Sequence, residues 1–180
     1  MPEDTREQGV GPIGRIDRTD LAILRILQRD GRRTYAEIGG EIGLTAPSVH
    51  DRVKKLEARG AIRGYSAVVD PTALGYGVLA FISVIQDAHA DWDQLLADFA
   101  AIREIEECHH IAGEEDYLLK VRARDTGDLA RVLRTITASP RVRSTRTAVV
   151  FSSPFEGRPM PPEEPAQTEG AAGAYRSDGR

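Results

Sequence analysis

TYAEIGGEIGLTAPSVHDRVKKLEARG, Thr34 to Gly60, holds two short helices joined by a tight turn. Tyr35, Ile38 and Ile42 recur at helical spacing and share one face. Gly43 follows at once, and glycine readily adopts the left-handed conformation that closes a helix. Leu44 then points back toward a core. Thr45 is placed to cap the second helix through its hydroxyl, and Pro47 falls in the first turn, where its missing N–H costs nothing. Val49, Val53 and Leu56 form an apolar stripe. Arg52, Lys54, Lys55 and Arg59 lie off that stripe, and Gly60 ends the helix. The first turns offer Ala46, Pro47, Ser48, His50 and Asp51 to whatever they face.

A helix pair of this kind, with cations on the outer side of the second helix, is how a protein sets a helix into the major groove of DNA. The competing reading is an ordinary amphipathic helix whose basic face meets water. The whole chain of 180 residues carries a net charge of −4, which argues against nucleic acid until its distribution is examined. From residue 15 to residue 63, eleven Arg/Lys oppose seven Asp/Glu, a local net of +4, so the remainder carries −8. Only the local sign matters at phosphates.

Composition sets further bounds. No apolar run approaches the ~20 residues of a transmembrane helix, so no membrane partner is expected. The opening MPEDTREQGVGPIG lacks the apolar centre of a signal peptide. Cys108 is the only cysteine, which excludes an intrachain disulfide and makes a cytoplasmic address the expectation.

Outward from the helix pair, residues 1–14 read as a disordered tail. A helix is predicted from Asp17 to Asp30, with Asp17 as cap and Leu21, Leu24 and Leu27, joined by Ile23, as its buried side. It completes a three-helix domain over residues 15–62. AIRGYSAVVD, Ala61 to Asp70, reads as a short strand or ribbon, and residues 63–77 as a strand and linker. The pattern then changes. Val78 to Gln86 is a strand. Asp91 to Ile102 is a helix with Trp92 as a core anchor. IEECHHIAG is a strand, GEED a loop and DYLLKVRAR a strand. A helix capped by Asp125 or Thr126 follows and buries Leu129, Val132, Leu133 and Ile136, and Val142 to Phe151 is the last strand. The order β-α-β-β-α-β is the ferredoxin-like arrangement, spanning residues 78–157. The fold class is therefore α+β: an N-terminal three-helix (winged) helix-turn-helix domain and a C-terminal βαββαβ domain. Residues 158–180, rich in Pro, Gly, Ala and Glu, read as a second disordered tail.

Both alternating faces of Val78 to Ile85 are apolar apart from Ser83, and two helices can cover only one face of the sheet. An exposed apolar sheet face predicts a dimer by sheet-on-sheet contact, and a two-fold dimer suits a reader of two-fold DNA sites. Cys108, His109 and His110 raise the question of a metal. Cys108 and His110 share a strand face, but two ligands do not make a site and no second cluster completes the usual four. No cofactor is expected, and Cys108 reads as a small buried hydrophobe.

Four pieces in order carry a resemblance: IDRTDLAILRILQRDGR, AEIGGEIGLTAPSVHDRVKKLEARGAIRGYSAVVD, IEECHHIAGEEDYLLKV and RVRSTRTAVVF. Over Ile16 to Arg158 the chain resembles the Lrp/AsnC (leucine-responsive, feast/famine) transcription regulators. The resemblance implies a helix-turn-helix domain that binds double-stranded DNA and a C-terminal ligand-sensing domain of the RAM/ACT-like type. It implies dimers through the sensing domain that assemble into tetramers or octamers. A small effector, usually an amino acid, occupies clefts where sensing domains of neighbouring dimers meet.

Carried onto this chain, the resemblance makes Ala46 to Arg59 the reading helix, capped by Thr45. His50 and Ser48 are the best candidates for base contact. Lys54, Lys55, Arg59 and Arg52 are assigned to phosphates, with pairing to Glu57 or a neighbouring helix as the alternative for Arg52. Asp51 fits a cytosine amino group or, better, a capping role. The effector loop becomes Ala112, Gly113, Glu114, Glu115 and Asp116. Gly113 would allow close backbone approach, so that main-chain N–H groups bind a carboxylate. Asp116 would accept from an α-ammonium group, or else tie its own loop through backbone N–H groups. His110, Ile111, Thr126, Ala148, Val149 and Val150 match the surrounding positions. His110 stands in place of an aliphatic residue and Ala148 in place of a tyrosine, which implies a roomier and more polar pocket than one for leucine. The expected function is a sequence-specific DNA-binding regulator tuned by an amino-acid-like effector, and not an enzyme. The alternatives are a haem-precursor decarboxylase acting through His109 and His110, and an architectural DNA-compacting protein.

Overall fold

Three helices make the first unit, and each starts on a cap supplied by the residue just before it. The computed structural model describes residues 16–160, so the expectations for residues 1–14 and most of the C-terminal tail lie outside the described residues. Among the described residues the chain divides after Ala67 into two units, the second being Val68–Glu156.

Helix α1, Arg18–Arg29, opens on a reciprocal cap. Asp17 Oδ1 accepts the Asp20 N–H at 2.8 Å, and Asp20 Oδ2 accepts the Asp17 N–H at 3.2 Å. Helix α2, Tyr35–Ile42, has the same device in Thr34 and Glu37. Helix α3, Ala46–Ala58, is capped by Thr45 and carries Pro47 in its first turn. Gly43 ends α2 at φ 73°, in the left-handed region. The core is Ile23, Ile26, Ile38, Val49, Val53 and Leu56. On α1 the enclosed positions are Leu21, Ile23 and Ile26, while the predicted Leu24 and Leu27 are only half-buried. Tyr35, predicted on the apolar face of α2, stays 36% exposed at its rim.

The turn between α2 and α3 depends on a contact that periodicity cannot show. Leu44 N–H donates to the Gly39 carbonyl at 2.9 Å. A Cβ on Gly39 would stand 2.3 Å from the Leu44 carbonyl oxygen. Only glycine lets the turn fold this closely over α2.

Arg52 locks the third helix to the first. Its Nη1 donates to Asp17 Oδ2 and to Asp20 Oδ1, each at 2.7 Å. Asp20 is 7% exposed. The bonds to Asp17 and then Asp20 hold the guanidinium further above its ordinary value. Burial alone would raise the Asp17 carboxyl, but the Asp20 N–H and Arg52 outweigh it and hold it below the usual range. Of the two readings of Arg52, phosphate contact or pairing with a neighbouring helix, the structure displays the pairing, to the cap of α1.

After Gly60, at φ 72°, residues 63–70 form no strand, so the expected ribbon and β wing are absent among the described residues. A lone extended segment has nothing to complete its ladder, and Tyr65, Val68 and Val69 remain exposed. A 3-10 turn, Pro71–Leu74, follows.

The second unit contains β1 (Val78–Gln86), α4 (Trp92–Ala100), β2 (Ile105–His110), β3 (Tyr117–Ala123), α5 (Thr126–Thr137) and β4 (Val142–Val149). The sheet is antiparallel in the order β2-β3-β1-β4, as the ferredoxin-like reading requires. Ala80, Ile82 and Val84 of β1 and Tyr117, Leu119 and Val121 of β3 are buried together with Leu95 and Phe99 of α4 and Leu129, Val132 and Ile136 of α5. Leu133 is only partly buried. No helix among the described residues is long and apolar enough to cross a membrane.

The opposite sheet face is not the apolar surface that β1 alone suggested. Phe81 pairs in register with Lys120, and Ser83 with Leu118. Lys120 meets Glu107 at 3.0 Å, Glu106 at 3.2 Å and Glu156. Arg122 meets Glu106 at 2.9 Å and Glu156 at 2.7 Å. The apolar part is a strip at Phe81, Ile85 and Leu118; toward β2 the face is an ion cluster, and toward β4 it carries Arg146 and Ser144. Edge strand β2 is poorly covered, and this exposes Cys108, which had been read as buried.

Two outcomes follow for stability. Gly39→Ala should cost about 1–3 kcal/mol, because backbone must move to admit the methyl group. Arg52→Ala should cost a similar ~1–3 kcal/mol by leaving Asp20 buried and unpaired. Urea denaturation checks both, and an unchanged midpoint for Gly39→Ala would show that the turn has slack.

Candidate DNA-reading helix and effector loop

Helix α3 buries Val49, Val53 and Leu56 and so turns the opposite side outward. Thr45, Pro47, Ser48, His50, Asp51, Lys54, Lys55 and Arg59 are exposed, and Ala46 is half-buried. Lys54, Lys55 and Arg59 have no carboxylate partner among the described residues, unlike Arg52. Ser48 is less available than its position suggested, because its hydroxyl lies 2.9 Å from that of Thr45 within the cap. Asp51 Oδ1 lies 3.5 Å from His50 Nδ1.

Two residues beside this surface make contacts with α3 that the sequence did not show. The Tyr35 ring meets the His50 ring edge-on at 5.4 Å between centroids. Tyr65, from the extended segment after α3, donates its hydroxyl to Glu57 Oε1 at 3.0 Å. Burial, then the Glu57 carboxylate, pushes the Tyr65 phenol up to about 12. Helical spacing describes one helix at a time, so side chains reaching α3 from elsewhere escape it.

In the second unit the effector loop joins β2 to β3. Ile111 N–H donates to the Asp116 carbonyl at 2.9 Å, closing the loop. Asp116 is pinned to β1: its N–H donates to the Val84 carbonyl at 2.9 Å, and its Oδ2 accepts the Gln86 N–H at 2.8 Å. Asp116 is therefore first a tether, although to a neighbouring strand rather than to its own loop. Glu115 reaches Arg146 of β4. Ala112, Gly113 and Glu114 are exposed, and a Cβ on Gly113 would meet nothing within 4 Å. Nothing in this chain alone requires glycine there.

Trp92, read as a core anchor, is instead 40% exposed. It stands edge-on to His110 at 4.4 Å and to Tyr117 at 5.7 Å. Tyr117 is fully buried, yet its hydroxyl has no hydrogen-bond partner among the described residues. His109 bonds Glu107 at 2.9 Å. As neighbours along β2, His109 and His110 point to opposite faces of the sheet and do not form one site. No group of three or more His, Cys, Asp or Glu able to hold a metal occurs among the described residues.

The remaining effector positions lie elsewhere. His110 pairs with Tyr117 at the start of β3. Thr126 follows the other end of β3, at Ala123. Ala148 pairs with Phe81, which itself pairs with Lys120 at the middle of β3, while Val149 pairs with Ala80 and Val150 N–H donates to Leu79, closer to that second end. β3 has seven residues, a span of about 20 Å at the rise of a strand. Within one chain, then, the loop with His110 and Ile111 sits at one end of the sheet, Thr126 with Val149 and Val150 lies toward the other, and Ala148 stands between them at mid-sheet.

Both units have relatives. Residues 16–57 match the AsnC-type helix-turn-helix domain, and residues 78–160 match the Lrp/AsnC ligand binding domain. The chain is 40% identical over 141 residues to the HTH-type transcriptional regulator LrpA of Mycobacterium tuberculosis, a match covering 77% of this chain and 93% of the relative. It is 36% identical over 139 residues to the leucine-responsive regulatory protein of Escherichia coli, covering 76% and 85%. Among solved structures, the feast or famine regulatory protein from M. tuberculosis complexed with L-methionine is similar at a TM-score of 0.78 and 34% identity, covering 82% of this chain and all of that one. E. coli AsnC is similar at a TM-score of 0.76 and 31% identity, covering 82% and 99%. The helix-turn-helix and βαββαβ units described above are thus joined in one chain as they are in these regulators, and the protein belongs to the Lrp/AsnC family of transcription regulators.

Proposed function

We propose that this regulator docks on DNA through the exposed side of α3 and that an amino acid bound between second units of neighbouring copies sets its assembly. The observation that carries the second part is the separation, along the sheet, of the loop with His110 from Thr126, Val149 and Val150. One chain supplies two half-sites and no whole one, so a pocket needs loop 112–116 from one copy beside the Thr126 end of another. A relative is complexed with L-methionine. The main-chain N–H groups around Gly113 suit a carboxylate, and Asp116, already tethered, is ordered next to them. The open sheet face supports a dimer, with Phe81, Ile85 and Leu118 as its apolar part. Assembly would change how many half-sites are engaged at once and so set the effective affinity.

Lys54 and Lys55 are the cations most free to meet phosphate. In the double variant Lys54→Ala/Lys55→Ala, binding should weaken on every sequence, and the slope of log K against log salt should shrink by up to ~1.8, at ~0.9 per phosphate. Arg52→Ala should leave that slope unchanged. An unchanged slope in the double variant would remove α3 as the docking element.

The effector is tested by a thermal-shift screen of the amino acids. A ligand at a hundred times its Kd adds ~2.7 kcal/mol when it binds only the folded state. Trp92 is the only tryptophan and adjoins His110, so its emission should change with the same ligands. If no amino acid alters either signal, the amino-acid reading fails.

A further inference from the structure

Few groups on α3 can tell one base pair from another. Ala46 and Pro47 have no hydrogen-bonding side chain. Arg52 is committed to Asp17 and Asp20, and the Ser48 hydroxyl is engaged with Thr45. Lys54, Lys55 and Arg59 occupy the second half of the helix, whereas in this docking class the first half meets base edges. His50 and Asp51 remain, and phosphate repels the aspartate.

His50 is exposed but not free. The ring of Tyr35, the first residue of α2, meets it with planes 60° apart and centroids 5.4 Å apart. Asp51 Oδ1 lies 3.5 Å from its Nδ1. An exposed histidine on a helix would otherwise sample several rotamers, and contacts with two different residues narrow that choice. Tyr35 is itself partly enclosed, being 36% exposed at the first turn of α2. The carboxylate beside Nδ1 favours the tautomer that carries its proton there, leaving Nε2 as an acceptor.

We infer that His50 is the base-reading residue of α3, that Tyr35 is a positioning residue fixing its imidazole, and that the group read is an exocyclic amino group in the major groove. The acceptor Nε2 fits adenine N6 or cytosine N4, and repels the guanine and thymine carbonyls. This rests on the proposed docking of α3.

The test is selection of bound duplexes from a random library by the full chain, with thermal midpoints measured on every variant. The wild-type chain should prefer A or C over G or T at one position of each half-site, on the strand facing the helix. His50→Ala should erase that preference by ~10- to 100-fold, with other positions unaltered. Tyr35→Ala should broaden the same position only, and Tyr35→Phe should restore it, because the ring edge and not the hydroxyl does the positioning. An unchanged preference in His50→Ala, or a Tyr35→Ala effect spread over all sequences, overturns this inference alone. A wild-type chain that enriches no sequence overturns it together with the docking of α3.

Discussion

The Arg52 bridge sets which residues the reading helix can show. Its guanidinium bonds Asp17 and Asp20 at 2.7 Å, and those same carboxylates cap α1. One cation thus completes two tasks, holding the cap in place and fixing the rotation of α3 about its own axis. With Val49, Val53 and Leu56 buried on the adjoining side, the helix has no freedom to roll. His50, Lys54 and Lys55 face outward because Arg52 faces inward. Gly39 completes the constraint by letting the Leu44 carbonyl close over α2.

The fold was largely legible in the residues. The caps at Asp17, Thr45 and Asp125, the left-handed glycine at 43 and the βαββαβ order all appear where local chemistry placed them. Such features depend on neighbours a few positions apart, which a sequence displays directly. What escaped depends on partners far along the chain. Arg52 looks like any exposed cation until Asp20, 32 residues earlier, is brought to it. Cysteine as a residue type favours burial and the spacing of Trp92 places it on the apolar side of its helix, but edge strand β2 and the first turn of α4 lie at the margin of the sheet. Residues 61–70 have a strand's composition and no partner within their unit.

The two faces of the second unit carry different duties. Under the helices the packing is apolar and closed. On the open face, Lys120 and Arg122 neutralise Glu106, Glu107 and Glu156 beside the apolar strip of β1. A face with both features specifies its counterpart better than a uniform apolar one. Grease tolerates many registers, whereas a buried charge in the wrong place is left unpaired.

The candidate DNA surface and the candidate effector loop share one physical arrangement. In each, an exposed imidazole stands against an aromatic edge from another element: His50 against Tyr35, and His110 against Trp92. A histidine can donate, accept or carry charge, which makes it informative but undiscriminating while it rotates freely. Holding the ring still removes that ambiguity before a ligand arrives and lowers the ordering cost of binding. The aromatic partner offers no strong hydrogen bond of its own in either contact, so it orients the imidazole without competing for the atom that does the recognising. On the proposed reading, selectivity would be set by pairs of residues, one that recognises and one that restricts it, and the sequence shows the members of each pair without showing that they meet.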